Sequence, residues 1–303
     1  MHILITGGTG FVGEALREHW LAAGHELTIL SRSAHPDTRN CRYVQTLEAV
    51  PASPSPEAVV NLAGASLAGK RWTAAYKKTL VDSRVEGTRA LVAWMRGLPV
   101  PPRVLLNASA IGFYGPRDSE PLGEDAAAGS GFASELCQAW EAQALAVADI
   151  GVRVCLLRLG VVLDAGGGAF VQMAQPFRMG IASWPGGGEQ YLSWVHRADA
   201  VAAFDFLLQQ EAMSGPVNVT APAPVTQRDF CAAMREHFRT LPGMPVPGAV
   251  MRLLLGEMAD ELLLTGQRVM PQRLQASGFL WRHPDIHSAL EAMLGAHAGD
   301  RLP

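Results

Sequence analysis

The chain has 303 residues, 49% of them hydrophobic and 17% charged, with a formal net charge of −3. That length supports one large domain or a domain with an added lobe, and the near-neutral balance leaves no electrostatic footprint for nucleic acid or a membrane surface. Four scattered cysteines without a C-x-x-C pair argue against a zinc site or a disulfide framework, so no metal is expected. With neither a basic, apolar leader nor an 18-residue apolar run, the expected location is cytoplasmic.

A short apolar strand, His2 to Thr6, runs into Gly7, Gly10 and Gly13, and an amphipathic helix follows. This order of strand, glycine turn and helix seats a dinucleotide pyrophosphate on a helix N-terminus, where free backbone N–H groups meet anionic oxygens. The G-x-x-G-x-x-G spacing is one residue looser than the usual fingerprint. Gly7, Thr9, Gly10, Phe11, Val12 and Gly13 are therefore expected at the cofactor. Val12, Ala15, Leu16 and Leu21 are expected to form the buried helix face, and Gly24-His25 its C-terminal cap.

The end of the second strand, Glu26 to Leu30, bears on which cofactor is bound. An NAD site places an acidic residue about 20 residues beyond the glycines, to accept hydrogen bonds from the adenosine ribose. Here Ser31 and Arg32 stand there. A carboxylate would repel a 2′-phosphate, whereas a hydroxyl and a forked guanidinium would bind it. NADP(H) is the expected cofactor; the competing reading is one more solvated surface arginine.

Further along, Arg42 to Val44 reads as a strand, Pro51 to Pro56 as a loop, and Ala58 to Gly64 as a buried strand with a small-residue end. Leu62, Ala63 and Gly64 are small enough for the adenosine half to lie against them. Lys70-Arg71-Trp72 leads into a helix through Ser83 and Arg84 to Met95. Strands at 103–109 and 151–160 flank a helix at 132–148. This alternation predicts an α/β fold, a doubly wound parallel sheet buried on both faces. Beyond Leu163 the glycine-rich stretches 166–168 and 185–188 mark a smaller mixed α/β substrate lobe, with a strand at 216–220 and a helix from Thr226 to Phe238. The last fifty-odd residues read as mostly helical. The expected domains are 1–240, with a core at 1–165 and the lobe at 166–240, and 245–296.

By its glycine turn, Asn61-Leu-Ala-Gly64, Val85-Glu-Gly-Thr88, Ser109 with Tyr114-Gly115, and Val195-His-Arg-Ala-Asp199, the chain resembles the extended short-chain dehydrogenase/reductase superfamily. Lys70-Arg-Trp72, Asp82-Ser-Arg-Val85, Trp140-Glu141, Leu157 to Leu163, Gly256 to Leu264 and Gly266 to Arg273 resemble an atypical branch, the epimerase-like or cell-division-inhibitor-like oxidoreductases with a C-terminal domain of unknown role. The resemblance implies that Arg84, at the place of an asparagine, lies near the cofactor. It implies that Arg158, Val161 and Val162 lie beside the nicotinamide and that Trp194 and His196 border the substrate. Arg71 is expected in a lid over the substrate, unless Trp72 only plugs a loop to the core.

The superfamily's Tyr-x-x-x-Lys, which supplies a proton and holds the ribose, is absent. Anchored on Glu141, its positions fall on Ala133 and Cys137. Ser109 remains as a group to polarise a carbonyl, against a serine satisfied within the fold. Tyr114 is a substitute acid, against a packed core phenol. Cys137 reads as a small buried hydrophobe, against a nucleophile, since the helix interior offers no evident activating base. The function expected is an NADPH-binding oxidoreductase or epimerase-like enzyme acting on a small polar carbonyl or alcohol, with a homodimer an admissible assembly. The alternatives are a non-catalytic NADPH-binding regulator linked to cell division and a nucleotide-sugar epimerase.

Overall fold

The computed structural model describes residues 1–117 and 119–295. Seven strands form the central parallel sheet: β1 (His2–Thr6), β2 (Glu26–Leu30), β3 (Cys41–Val44), β4 (Ala58–Asn61), β5 (Val104–Ala110), β6 (Arg153–Leu159) and β7 (Gly215–Val219). Their order is β7-β6-β5-β4-β1-β2-β3. The order reverses direction at β1, and the crevice beyond the strands' C-terminal ends at such a reversal is where open α/β sheets bind ligands. The register sets Thr6 beside Leu30 and Asn61, and Asn61 beside Asn107, at that edge. Burial on both faces explains why the strands read as apolar runs and not as alternation.

The first four α-helices are α1 (Phe11–Ala22), α2 (Ala74–Val81), α3 (Gly87–Arg96) and α4 (Phe132–Leu145). The buried stripe of α1 is Gly13, Leu16 and Trp20, displaced from the expected line of Val12, Ala15, Leu16 and Leu21. Gly13 lies hard against the Gly7 carbonyl, and this close approach turns the helix so that Trp20 faces inward, its indole N–H donating to Asp205 at 2.8 Å. Gly24, with φ +83°, ends the helix in the left-handed region, as a glycine after a helix should. The helix expected through 83–95 is divided: α2, capped by the Thr73 hydroxyl, passes through a wider π turn at Asp82–Glu86 before α3 begins. Leu91, Val92 and Met95 of α3 join Leu4, Val59, Leu105 and Val154 in one core.

The chain divides into two compact units: Met1–Ala110 with Glu135–Arg158 and Val201–Val217, and Ile111–Ser134 with Leu159–Ala200 and Asn218–Pro303. The second has its own core around Phe170, Phe177, Trp194, Phe230, Met234 and Leu290. Within it Val161–Asp164 pairs with Trp194–His196 in parallel, and Thr226 caps the helix Gln227–His237 by accepting the Asp229 N–H.

The last stretch is mostly helical, as expected, and includes Glu257–Ala259 and the π turn Asp260–Leu264. Helices Gly248–Leu255, Gln272–Ala276 and Ile286–Leu294 are interrupted by the strand Arg268–Val269, which pairs with Pro121–Leu122. Gly256, at φ +66°, stops the first helix. Gly266 then packs its Cα on the Tyr191 backbone with no space for a side chain. Residue 296, the expected domain end, lies outside the described residues. Among the described residues no helix is long and apolar enough to cross a membrane.

A candidate nucleotide site and its buried ion pair

The three spaced glycines of the first turn, Gly7, Gly10 and Gly13, have separable physical reasons. Gly7 adopts φ +71°, and a Cβ there would stand 2.7 Å from the Leu62 carbonyl carbon, so it admits the loop after β4. A Cβ on Gly13 would collide with the Gly7 carbonyl and Gly8 Cα, which fixes helix against strand. Gly10 is the N-cap of α1, with an exposed, extended backbone and no side-chain cap. Its amide donates to the Gly7 carbonyl at 2.9 Å. The helix dipole and its first-turn N–H groups therefore open toward solvent at the strand-order reversal, with Thr9 exposed and Phe11 and Val12 half-buried alongside.

On the β2 side of the turn, Ser31 is buried and its hydroxyl oxygen accepts the Ser33 N–H at 3.2 Å. Arg32 is exposed, and its carbonyl accepts from the Gln45 side chain at 3.1 Å. Beside them a cavity of about 300 Å³ is lined by Ser33, His35, Tyr43, Gln45 and Thr46.

On the β4 and β5 side the strand ends carry a connected polar cluster. Thr6 donates to the Asn61 side-chain oxygen at 2.6 Å, and the Asn61 amide donates to Thr88 at 2.8 Å and Asn107 at 2.7 Å. The Trp140 indole also donates to Thr88, at 3.0 Å. Buried polar groups are tolerable only when linked in this way. Next to this cluster, Ser83 and Arg84 clamp the loop after β4. The Ser83 hydroxyl accepts the Ala65 N–H at 3.0 Å, and Arg84 donates to the Ala65 carbonyl at 3.0 Å. The Arg84 guanidinium lies over the Trp140 ring, 5.3 Å from its centroid, and packs on Gly64 so closely that a Cβ there would be 2.9 Å from its Cζ. Burial lowers the Arg84 pKa.

Ser109 does not present a free hydroxyl. Its O–H donates to Glu141 at 2.6 Å, and Arg158 grips the same carboxylate with two N–H groups, each at 2.9 Å. All three residues are at most 5% exposed. The serine proton is thus directed at an anion and away from any carbonyl, and the alternative weighed from the sequence, a satisfied structural serine, describes its position. Glu141, read from the sequence as a family motif residue and an anchor for alignment, is the centre of this arrangement. Arg158, inside the otherwise apolar run from Val154 to Leu159, was the available signal, because a fully buried charge is usually paired. Cys137, at the missing lysine's position, is buried, and burial together with the nearby Glu141 charge pushes its thiol up to about 11.

Arg71 is exposed, and Trp72 is buried with its indole N–H on the Leu67 carbonyl at 2.8 Å. The tryptophan plugs its own loop. In the second unit Tyr114 is fully buried, its hydroxyl donating to the Asn218 side chain at 2.7 Å. A phenol sealed in this way matches the packed reading and not that of an accessible acid. Trp194 is likewise fully buried in the second core and pairs through the backbone with Val161. His196 Nδ1 accepts the Ala198 N–H at 3.1 Å, and its ring packs on His283 at 4.1 Å between centroids. Burial first, then the His283 charge, lowers its pKa. At Ala133, where the tyrosine would stand, the backbone amide and that of Phe132 both donate to the Glu261 carboxylate, each at 2.8 Å. Sequence reasoning missed this cap, since nothing near Glu261 in the chain announces it. Among the described residues no group of three histidine, cysteine or acidic side chains could hold a metal.

A sheet whose strand order reverses at a glycine turn defines a Rossmann-type α/β protein. The chain belongs to the NAD dependent epimerase/dehydratase family, whose model matches residues 3–220, and a domain of unknown function (DUF1731) matches residues 246–293. It is 37% identical over 290 residues to an epimerase family protein of Mycobacterium bovis, covering 95% of this chain and 96% of the relative. The human epimerase family protein SDR39U1 is 33% identical over 297 residues, covering 97% and 100%. A crystal structure of human SDR39U1 (isoform 2) with NADPH aligns at a TM-score of 0.88 and 32% identity, over 97% of this chain and 99% of that one.

Proposed function

We propose that this protein binds NADPH across its first glycine turn and acts as an oxidoreductase or epimerase-like enzyme on a small polar carbonyl or alcohol. The observation that carries the cofactor is the open N-terminus of α1 at the strand-order reversal, with no side chain of its own to cap it. The residues fit the group. Gly10 leaves the pyrophosphate position open, Arg32 offers an exposed guanidinium for a 2′-phosphate, and the cavity lined by His35 and Tyr43 has room beside it for adenosine. Leu62 and Ala63 border the turn, Gly64 follows them under Arg84, and Val161 remains assigned beside the nicotinamide by family resemblance. The human relative crystallised with NADPH supports the choice of cofactor. Bound NADPH would supply a hydride.

A second reading has its own support. Ala133 and Cys137 replace the acid pair, and Ser109 and Tyr114 both spend their protons on buried partners. These favour a protein that holds NADPH for a regulatory purpose, turnover being slow or absent. A titration separates the parts. Arg32→Ala should weaken NADPH by about 1–3 kcal/mol, as loss of a charge-assisted contact does, and leave NADH nearly unchanged. Equal losses for both cofactors would refute the 2′-phosphate assignment. Substrate-dependent NADPH oxidation across a carbonyl panel would then select the enzyme over the regulator.

A further inference from the structure

We infer that Arg84 makes this protein selective for the reduced cofactor, NADPH, over NADP⁺. The inference rests on the proposed binding of NADPH at the glycine turn and concerns the other half of the same site.

The sheet order gives the direction. β2 and β3 lie on one side of β1, and β4 and β5 on the other. If Arg32, after β2, takes the adenosine 2′-phosphate, a dinucleotide crossing the glycine turn extends its nicotinamide half toward the ends of β4 and β5. Arg84 stands on that side, clamped to the loop after β4 at Ala65 and stacked on Trp140 of α4.

Charge gives the selectivity. Glu141, the nearby buried carboxylate, is gripped by both forks of Arg158, so that pair is neutral as a unit. Cys137 stays protonated at neutral pH. Among the described residues no carboxylate pairs with Arg84, and its one hydrogen bond to protein goes to a carbonyl oxygen. One half-buried positive charge is therefore left over. Oxidised nicotinamide is a cation and dihydronicotinamide is neutral. An uncompensated guanidinium repels the first and not the second, and partial burial shields it from solvent screening. The bias expected is on the order of tenfold. The competing role, a loop clamp and nothing more, would affect both redox forms alike.

The test measures dissociation constants of NADPH, NADP⁺ and 2′,5′-ADP, which lacks the nicotinamide half, by calorimetry. Wild type, Arg84→Met and Arg84→Lys are compared, with thermal melts to verify folding. Wild type should prefer NADPH about tenfold, Arg84→Met should bring the two within about twofold, and Arg84→Lys should retain the preference. 2′,5′-ADP should bind all three proteins equally. Equal wild-type affinity for NADPH and NADP⁺ overturns the inference with the cofactor reading intact, and needs no variant to fold. Parallel loss of all three ligands in Arg84→Met reduces the residue to a clamp. Failure of wild type to bind even 2′,5′-ADP would bring down the cofactor reading itself, and the inference with it.

Discussion

Replacing Glu141 by Gln keeps the shape of the side chain and removes its charge. In the native protein its two oxygens take one proton from Ser109 and two N–H donors from Arg158, all at 2.6–2.9 Å and nearly out of water. The glutamine offers one acceptor oxygen and one NH₂, so a donor of Arg158 or Ser109 must face another donor. The guanidinium also becomes an uncompensated buried charge. Breaking a buried pair from one side typically loses about 3–5 kcal/mol. At roughly 2–4 °C per kcal/mol for a domain of this size class, the melting temperature should fall by about 6–20 °C. Arg158→Met should lose a similar amount by stranding the carboxylate. The double variant Glu141→Met/Arg158→Met should recover part of the loss, because no buried charge is left unpaired, although the Ser109 hydroxyl loses its acceptor. Denaturant unfolding of all four proteins closes the cycle. Additive losses, with no coupling between the positions, would refute the account of the pair as one self-neutralised unit, and with it the surplus charge assigned to Arg84.

Two other outcomes concern single titratable groups. His196 has its pKa lowered below the ordinary 6.5, so the unfolded chain binds the proton more readily. Its contribution to stability is present above about 6.5 and is lost as pH falls below it. Melts from pH 7.5 to 5.5 should show a flatter acid decline for His196→Gln than for wild type, and identical slopes would discount the residue. Cys137, held at about 11, should resist iodoacetamide at pH 8 in the folded protein and react after denaturation. Rapid native labelling at that residue would contradict its burial.

What the sequence made legible was local. The strand at His2–Thr6, the turn at Gly7–Gly13 and the Thr226 cap all depend on residues within one turn of each other, and each appears where its residue types require. What escaped was pairing across the chain. The spacing of Ser109 from Glu141 is 32 residues and of Tyr114 from Asn218 is 104; no periodicity links them. The hydroxyls of Ser109 and Tyr114 were visible as residue types, but whether their protons were available depended on those distant partners. Trp20 was missed for a related reason: the direction of α1 is set by Gly13 pressing on Gly7, a contact absent from a helical wheel. Arg84 could be placed near the cofactor by resemblance. That it lacks a counter-charge is legible only once every neighbour is in place.

The Glu261 cap gives the helix carrying Glu141 and Cys137 a dependence on time. The first amides of α4 receive their acceptor from a residue 129 positions later in the chain. At roughly 5–20 residues per second of synthesis, α4 leaves the ribosome on the order of ten seconds before its cap exists. Gly131, just ahead of it, offers no side chain to serve meanwhile. During synthesis the start of this helix must remain hydrated, and its final closure waits until Glu261 has been made.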